Sequence, residues 1–135
     1  MNRTMKFILA VGLIFCAAAS YAQTLAPIVV PADCRRVIEL VNQERERCGL
    51  PRLIEDKEMC RACETYSIIM SGYEGFKHSL NFRRFASCEC IAGNVWTPEG
   101  VVNLWFRQCG RRAFLAPGKY IGVGACKGYW TLRVR

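Results

Sequence analysis

The sequence predicts an α+β sandwich in which helices flank a small antiparallel sheet. Three observations lead there. Apolar residues recur at helical spacing in two long segments and in a shorter, well-capped one, the C-terminus switches to period-two alternation, and a short chain carries an even set of cysteines once its leader is set aside.

The first element is that leader. Arg3 and Lys6 form a basic start, Phe7 to Ala19 is an apolar run, and Ser20-Tyr21-Ala22 places small residues at the cleavage positions before Gln23, so residues 1–22 read as a secretory signal. The run is short for a bilayer and no second long apolar segment follows, so no transmembrane segment is expected. A secreted, periplasmic or otherwise extracellular protein is the expectation. The remaining 113 residues suit one domain. Residues 23–32 form an extended lead-in held by Pro27 and Pro31, and residues 33–135 form the domain.

Asp33 is the expected N-cap of a first helix running to about Cys48, with Val37, Ile38, Leu40 and Val41 as its apolar stripe and Gly49 and Pro51 as its stop. A second helix should start at Asp56 and run to about Ser71, burying Met59, Cys63, Tyr66, Ile69 and Met70, with Gly72 ending it. Thr97-Pro98-Glu99 starts a third: a hydroxyl cap, a proline whose missing N–H costs nothing there, and a first-turn carboxylate. Val101, Val102, Trp105 and Cys109 share its face. Finally Ile121, Val123 and Ala125 alternate with glycines, and Trp130, Leu132 and Val134 alternate with Thr131 and Arg133. A turn at Lys127-Gly128 would pair Ala125 with Trp130, Val123 with Leu132 and Ile121 with Val134 on one face. That face needs a helix layer over it.

Cys16 leaves with the signal. The other eight cysteines, Cys34, Cys48, Cys60, Cys63, Cys88, Cys90, Cys109 and Cys126, read as a disulfide framework stabilising a modest core, with the pairing open. A zinc site from Cys60, Cys63, Cys88 and Cys90 is the competing use, and export argues against it because oxidising compartments convert thiols to disulfides.

Removing Arg3 and Lys6 leaves seventeen basic against eleven acidic groups, a net charge of +6. Such a surface favours an anionic small molecule, a lipid or a cell-envelope component. Arg83-Arg84 and Arg111-Arg112 are the sharpest basic pairs, beside Phe82, Phe85 and Phe114. No nucleic-acid-binding signature accompanies them, so no nucleic acid partner is expected. His78 is the single histidine, and Ser79 beside it in the chain is a local hydrogen-bonding residue rather than a nucleophile.

In order, Val41-Asn42-Gln43-Glu44-Arg45 with Gly49-Leu50-Pro51-Arg52-Leu53, Phe76-Lys77-His78-Ser79, Glu89-Cys90-Ile91-Ala92-Gly93, Trp105, Gly110-Arg111-Arg112-Ala113-Phe114-Leu115, Tyr120-Ile121-Gly122-Val123-Gly124 and Tyr129-Trp130-Thr131 resemble the segments of the CAP superfamily. These are the cysteine-rich secretory, antigen 5 and pathogenesis-related 1 proteins, here in a compact bacterial form. The resemblance implies an α-β-α sandwich with a cleft in which members commonly set two histidines and two acidic residues, some of them holding a divalent metal. His78 falls on the first histidine and Glu89 on the first glutamate. Gln108 stands where another acidic residue is common, and Arg111 where the second histidine is expected. With two of four positions changed, and Arg111 placed to pair with Glu89, no metal and no other cofactor is expected, His78 and Glu89 being the only candidate ligands.

No catalytic residue is assigned. The expected function is a non-enzymatic extracellular binding module whose degenerate cleft, marked by His78, Glu89, Gln108 and Arg111, takes a small anionic or lipid ligand. The alternatives are a metal-dependent hydrolase using His78 and Glu89, and a structural cell-surface protein.

Overall fold

The computed structural model describes residues 27–73, 75–108 and 114–135. The secretory signal, the start of the lead-in, Cys109 and Arg111 lie outside the described residues. Helix α1 spans Ala32–Arg47, strand β1 Ile54–Glu55, helix α2 Lys57–Gly72, strand β2 Cys88–Ala92, helix α3 Pro98–Gln108, strand β3 Tyr120–Cys126 and strand β4 Tyr129–Val134. A 3-10 turn at Phe82–Arg84 precedes β2.

The helices start and stop largely where capping chemistry puts them. Asp56 caps α2 by accepting a 3.0 Å hydrogen bond from the Met59 amide. Thr97 Oγ1 accepts the Gly100 amide at 3.1 Å, and Pro98 opens α3. Helix α1 closes in a Schellman arrangement, with Leu50 N–H to the Arg45 carbonyl, Gly49 N–H to the Glu46 carbonyl, and Gly49 at φ +76°. Its start corrects the expectation: Pro31 holds the cap position with no side-chain bond, and Asp33 sits within the first turn. There its carboxylate still faces the positive end of the helix dipole.

The sheet order is β1-β3-β4-β2. The β3–β4 hairpin turns at Lys127 (φ +49°) and Gly128 (φ +78°), and pairs Ala125 with Trp130, Val123 with Leu132 and Ile121 with Val134, the register read from the alternation. Strand β2 adds antiparallel to β4 as an edge. The sheet is mixed rather than antiparallel, because Ile54–Glu55 runs parallel to β3 at the other edge. Two residues are too few to show an alternation, which is why β1 escapes a reading by period.

Helices α1 and α3 cover one sheet face, where Val37, Val41, Val101, Trp105, Ile121, Val123, Leu132 and Val134 are fully or almost fully buried. Helix α2 covers the other, drawn close by Gly122 and Gly124. A Cβ on Gly124 would lie 1.9 Å from the Glu64 nitrogen, and one on Gly122 would lie 2.6 Å from the Met59 carbonyl carbon. Side chains that alternate with the apolar ones therefore also point into protein, and Thr131, Arg133 and Glu89 are all buried.

Cys34, Cys48, Cys60, Cys63, Cys88 and Cys126 are free thiols. The expected disulfide framework is not formed among them. Cys34, Cys60 and Cys63 are instead packed in the interior, where burial pushes the Cys34 thiol up to about 12. Cys88 Sγ lies 3.9 Å from Cys90 Sγ.

Candidate functional site

Glu89 is the centre of the site. Its position on β2 turns its side chain away from Cys88 and Cys90 and under helix α2, with no side-chain exposure left. Bare burial of a carboxylate would be costly, so its hydrogen bonds decide what it is. Oε1 accepts the Ser79 amide at 2.8 Å and faces His78 Nδ1 at 3.0 Å. Oε2 accepts the Ser79 hydroxyl at 2.5 Å and Arg133 Nε at 2.9 Å. Burial alone would push this carboxyl up, but the bonds from Ser79, Arg133 and His78 together hold it below the ordinary carboxylate range.

Arg133 is the guanidinium that neutralises Glu89. It comes from β4, directly across from Glu89 in the sheet register, and also donates from Nη2 to Ser79 Oγ at 3.1 Å. Its guanidinium carbon lies over two aromatic rings, 4.8 Å from the centre of Phe85 and 5.6 Å from that of Tyr66. Tyr66 in turn donates its hydroxyl to the Lys77 carbonyl at 2.5 Å, tying the His78 loop to α2. The pairing the sequence suggested for Glu89 was with Arg111, which lies outside the described residues; the partner in view is Arg133. Arg133 was missed because the Thr131 and Arg133 side of β4 looks like a solvent face. The signal that could have found it is Gly122 and Gly124 on the same side of the neighbouring strand, since two small residues there admit a close helix.

His78 stands at the rim, 55% exposed, with Nδ1 toward Glu89 and its ring 5.9 Å from that of Phe82. Ser79 binds Glu89 and Arg133 rather than His78, in keeping with its reading as a local hydrogen-bonding residue. Gln108 is exposed at the last residue of α3, and among the described residues it makes no hydrogen bond to His78 or Glu89. Of the four expected cleft residues, the structure brings His78 and Glu89 together.

These residues do not fit a divalent metal. A catalytic zinc needs about three protein ligands, and among the described residues no group of three histidine, cysteine or acidic side chains converges. Both carboxylate oxygens of Glu89 are engaged, one of them by a permanent cation at 2.9 Å. Among the described residues Cys60, Cys63, Cys88 and Cys90 do not converge as a group that could hold a metal either.

The rim around His78 is cationic and apolar together. Residues 75–88 contain Lys77, Arg83 and Arg84 and no acidic residue. All three cations are exposed, as are Phe76, Leu80 and Phe85. Ser79, Leu80, Asn81, Phe82, Arg83 and Arg84 line a shallow open depression of about 430 Å³. Among the described residues no helix is long and apolar enough to cross a membrane.

No protein-family model matches the chain. It is 31% identical over 125 residues to the uncharacterized protein YkwD of Bacillus subtilis (strain 168), an alignment covering 80% of this chain and 49% of that protein. The chain thus spans about half the length of the curated relative it matches. In fold it is similar to an extracellular protein containing an SCP domain from Bacillus anthracis, with a TM-score of 0.68, 20% identity, and 76% of this chain and 40% of that one covered. It is also similar to a cysteine-rich secretory protein from Staphylococcus aureus, with a TM-score of 0.62, 13% identity, and 78% and 39% covered.

Proposed function

The chain has the fold of the CAP superfamily, the fold of SCP-domain proteins, and from that premise we propose that it is an exported, non-enzymatic binding module that takes an anionic group on the rim around His78. The observation that carries this reading is the use made of Glu89. Its charge is balanced internally by Arg133 and its oxygens are filled by Ser79 and His78, so it offers a ligand nothing. The groups facing outward are Lys77, Arg83, Arg84 and the exposed ring of His78. Guanidinium and ammonium groups beside exposed Phe76 and Leu80 suit a phosphate, sulfate or carboxylate group attached to a less polar body. Export is supported by the signal-like residues 1–22 and by the extracellular and secretory descriptions of the two structural neighbours.

The test uses two probes that share this chemistry: a sulfated polysaccharide column, and vesicles containing phosphatidylglycerol. The wild-type protein should be retained by one or both. The double variant Arg83→Glu/Arg84→Glu should lose at least about tenfold in affinity, because each reversal turns an attraction into a repulsion. Lys57→Glu, at the start of α2, makes one such charge reversal elsewhere and should bind as the wild type does. Retention by the column alone points to an acidic polysaccharide, and by vesicles alone to a lipid headgroup. Equal binding by the double variant, or no binding by the wild type to either probe, overturns the proposal.

A further inference from the structure

The face of β2 opposite Glu89 carries two thiols. Cys88 and Cys90 are alternate residues of the strand, so they point the same way, and their sulfurs are 3.9 Å apart. Cys88 is half-buried and Cys90 buried. The strand is at the sheet edge, bonded on one side only, to β4. We propose that Cys88 and Cys90 form a reversible thiol–disulfide pair, which exchanges with small-molecule disulfides and shifts Glu89 and His78 when it closes.

Geometry says why such a bond would be labile. Alternate residues of an extended strand are about 6.6 Å apart along the chain. A relaxed disulfide wants its Cβ atoms about 3.5–4.5 Å apart. Closure therefore has to shorten the strand between the two cysteines, and the residue between them is Glu89. A disulfide formed under that strain is reduced more readily than a relaxed structural one. The edge position lowers the resistance, because only one ladder has to adjust. Separately, a hydrogen bond with the Cys90 thiol holds Cys88 below the ordinary thiol range against the opposing effects of burial and Glu89, which favours Cys88 as the attacking group.

With oxidised glutathione as the co-reactant the step balances. The Cys88 thiolate attacks one sulfur of the glutathione disulfide, that S–S bond breaks, and one glutathione thiolate leaves. Cys90, giving up its proton, displaces the second glutathione from Cys88 and closes the intramolecular bond. Two cysteine thiols are oxidised, one disulfide is reduced to two thiols, and two protons pass from the cysteines to the glutathione.

Trypsin isolates both thiols on one peptide, residues 85–107, which contains no other cysteine. The whole protein is equilibrated in glutathione buffers from fully reduced to fully oxidised, quenched by alkylation and digested. The expected result is a peptide two mass units lighter and unalkylated in oxidising buffer, and doubly alkylated again after return to millimolar reduced glutathione. Cys90→Ser should trap a single glutathione adduct on Cys88, and Cys88→Ser should leave the buried Cys90 without one. Because His78 is the sole histidine, its ring proton gives one assignable NMR signal. That signal should shift on oxidation of the wild type and stay in place in the serine variants. The proposal is overturned if the peptide stays doubly alkylated throughout, if either cysteine is found linked to another peptide of the chain, or if the His78 signal does not move when the bond forms. None of these readouts depends on anion binding, so failure here and failure of the binding reading remain distinguishable.

Discussion

Glu89 and His78 touch each other, yet they answer to different demands. Glu89 holds together a buried set of Ser79, Arg133 and the strand that carries it, while His78 is tethered to that set from the rim. Glu89→Gln should therefore destabilise the fold by about 3–5 kcal/mol, since it strands the Arg133 charge in the interior. His78→Ala should cost less than about 1 kcal/mol, as befits a half-exposed partner. Urea unfolding midpoints of the two variants separate these outcomes. The pH dependence follows from the same residue. The folded pKa of Glu89 is depressed, so the folded state releases this proton more readily than the unfolded state does. Its contribution is fully present above the ordinary carboxylate range and is lost as pH falls through the lowered folded value. Acid should thus weaken the wild type progressively as pH falls below the ordinary carboxylate range, and the Glu89→Gln variant should show a flatter profile there. Much of this site was legible as identity but not as partnership. His78 stood out as the single histidine, and Glu89 through the resemblance to the CAP superfamily. Their neutralising arginine lies 44 positions further on, and only the sheet register brings it across.

At the scale of elements, the tightest join is between α2 and the sheet. Gly124→Ala would set a methyl group 1.9 Å from the Glu64 backbone, and no side chain can swing away to make room. The helix would have to lift, at a cost of about 3 kcal/mol or more. Gly72→Ala, at the end of the same helix, meets nothing within 4 Å and should be neutral or stabilising by about 0.5–1 kcal/mol. Thermal unfolding of the pair tests the close approach against a control in the same helix. The two glycines also explain which elements could be read in advance. Caps at Asp56 and Thr97 and the Lys127-Gly128 turn act through neighbours in sequence, so the starts of α2 and α3 and the hairpin register were visible. Strand β1 and the burial of the Thr131 and Arg133 side of β4 depend on what packs from far along the chain, and the only trace of the latter is Gly122 and Gly124 on the neighbouring strand.

At the scale of the whole molecule, ion pairing among the described residues is uneven over the surface. Surface acids are largely matched, as in Arg52 with Glu39 and Glu46, Arg36 with Glu99, and Arg135 with Asp56, whereas the stretch from 75 to 88 carries three cations and no acid. Matched surface pairs add little to stability. Their effect is to leave the His78 rim as a local positive field. Binding to the anionic column or vesicles should therefore weaken steeply between about 50 mM and 500 mM salt, as the screening length falls from roughly 14 Å to 4 Å. A binding curve at several salt concentrations checks this, and salt-independent retention would point instead to the apolar residues Phe76 and Leu80.

One buried contact ties the two ends of the domain into a single event. Arg45, 2% exposed near the end of α1, donates to the carbonyls of Pro51, Phe114 and Ala116. Two of those acceptors arrive only with the last quarter of the chain. Until they do, α1 carries a guanidinium that must either stay in water or go unsolvated, so its inner face cannot close early. A nascent chain emerging from a ribosome or an export channel would have to wait for its C-terminal segment before the first helix could dock. Protection of α1 amides from hydrogen exchange should accordingly appear together with that of β3 and β4 rather than ahead of it.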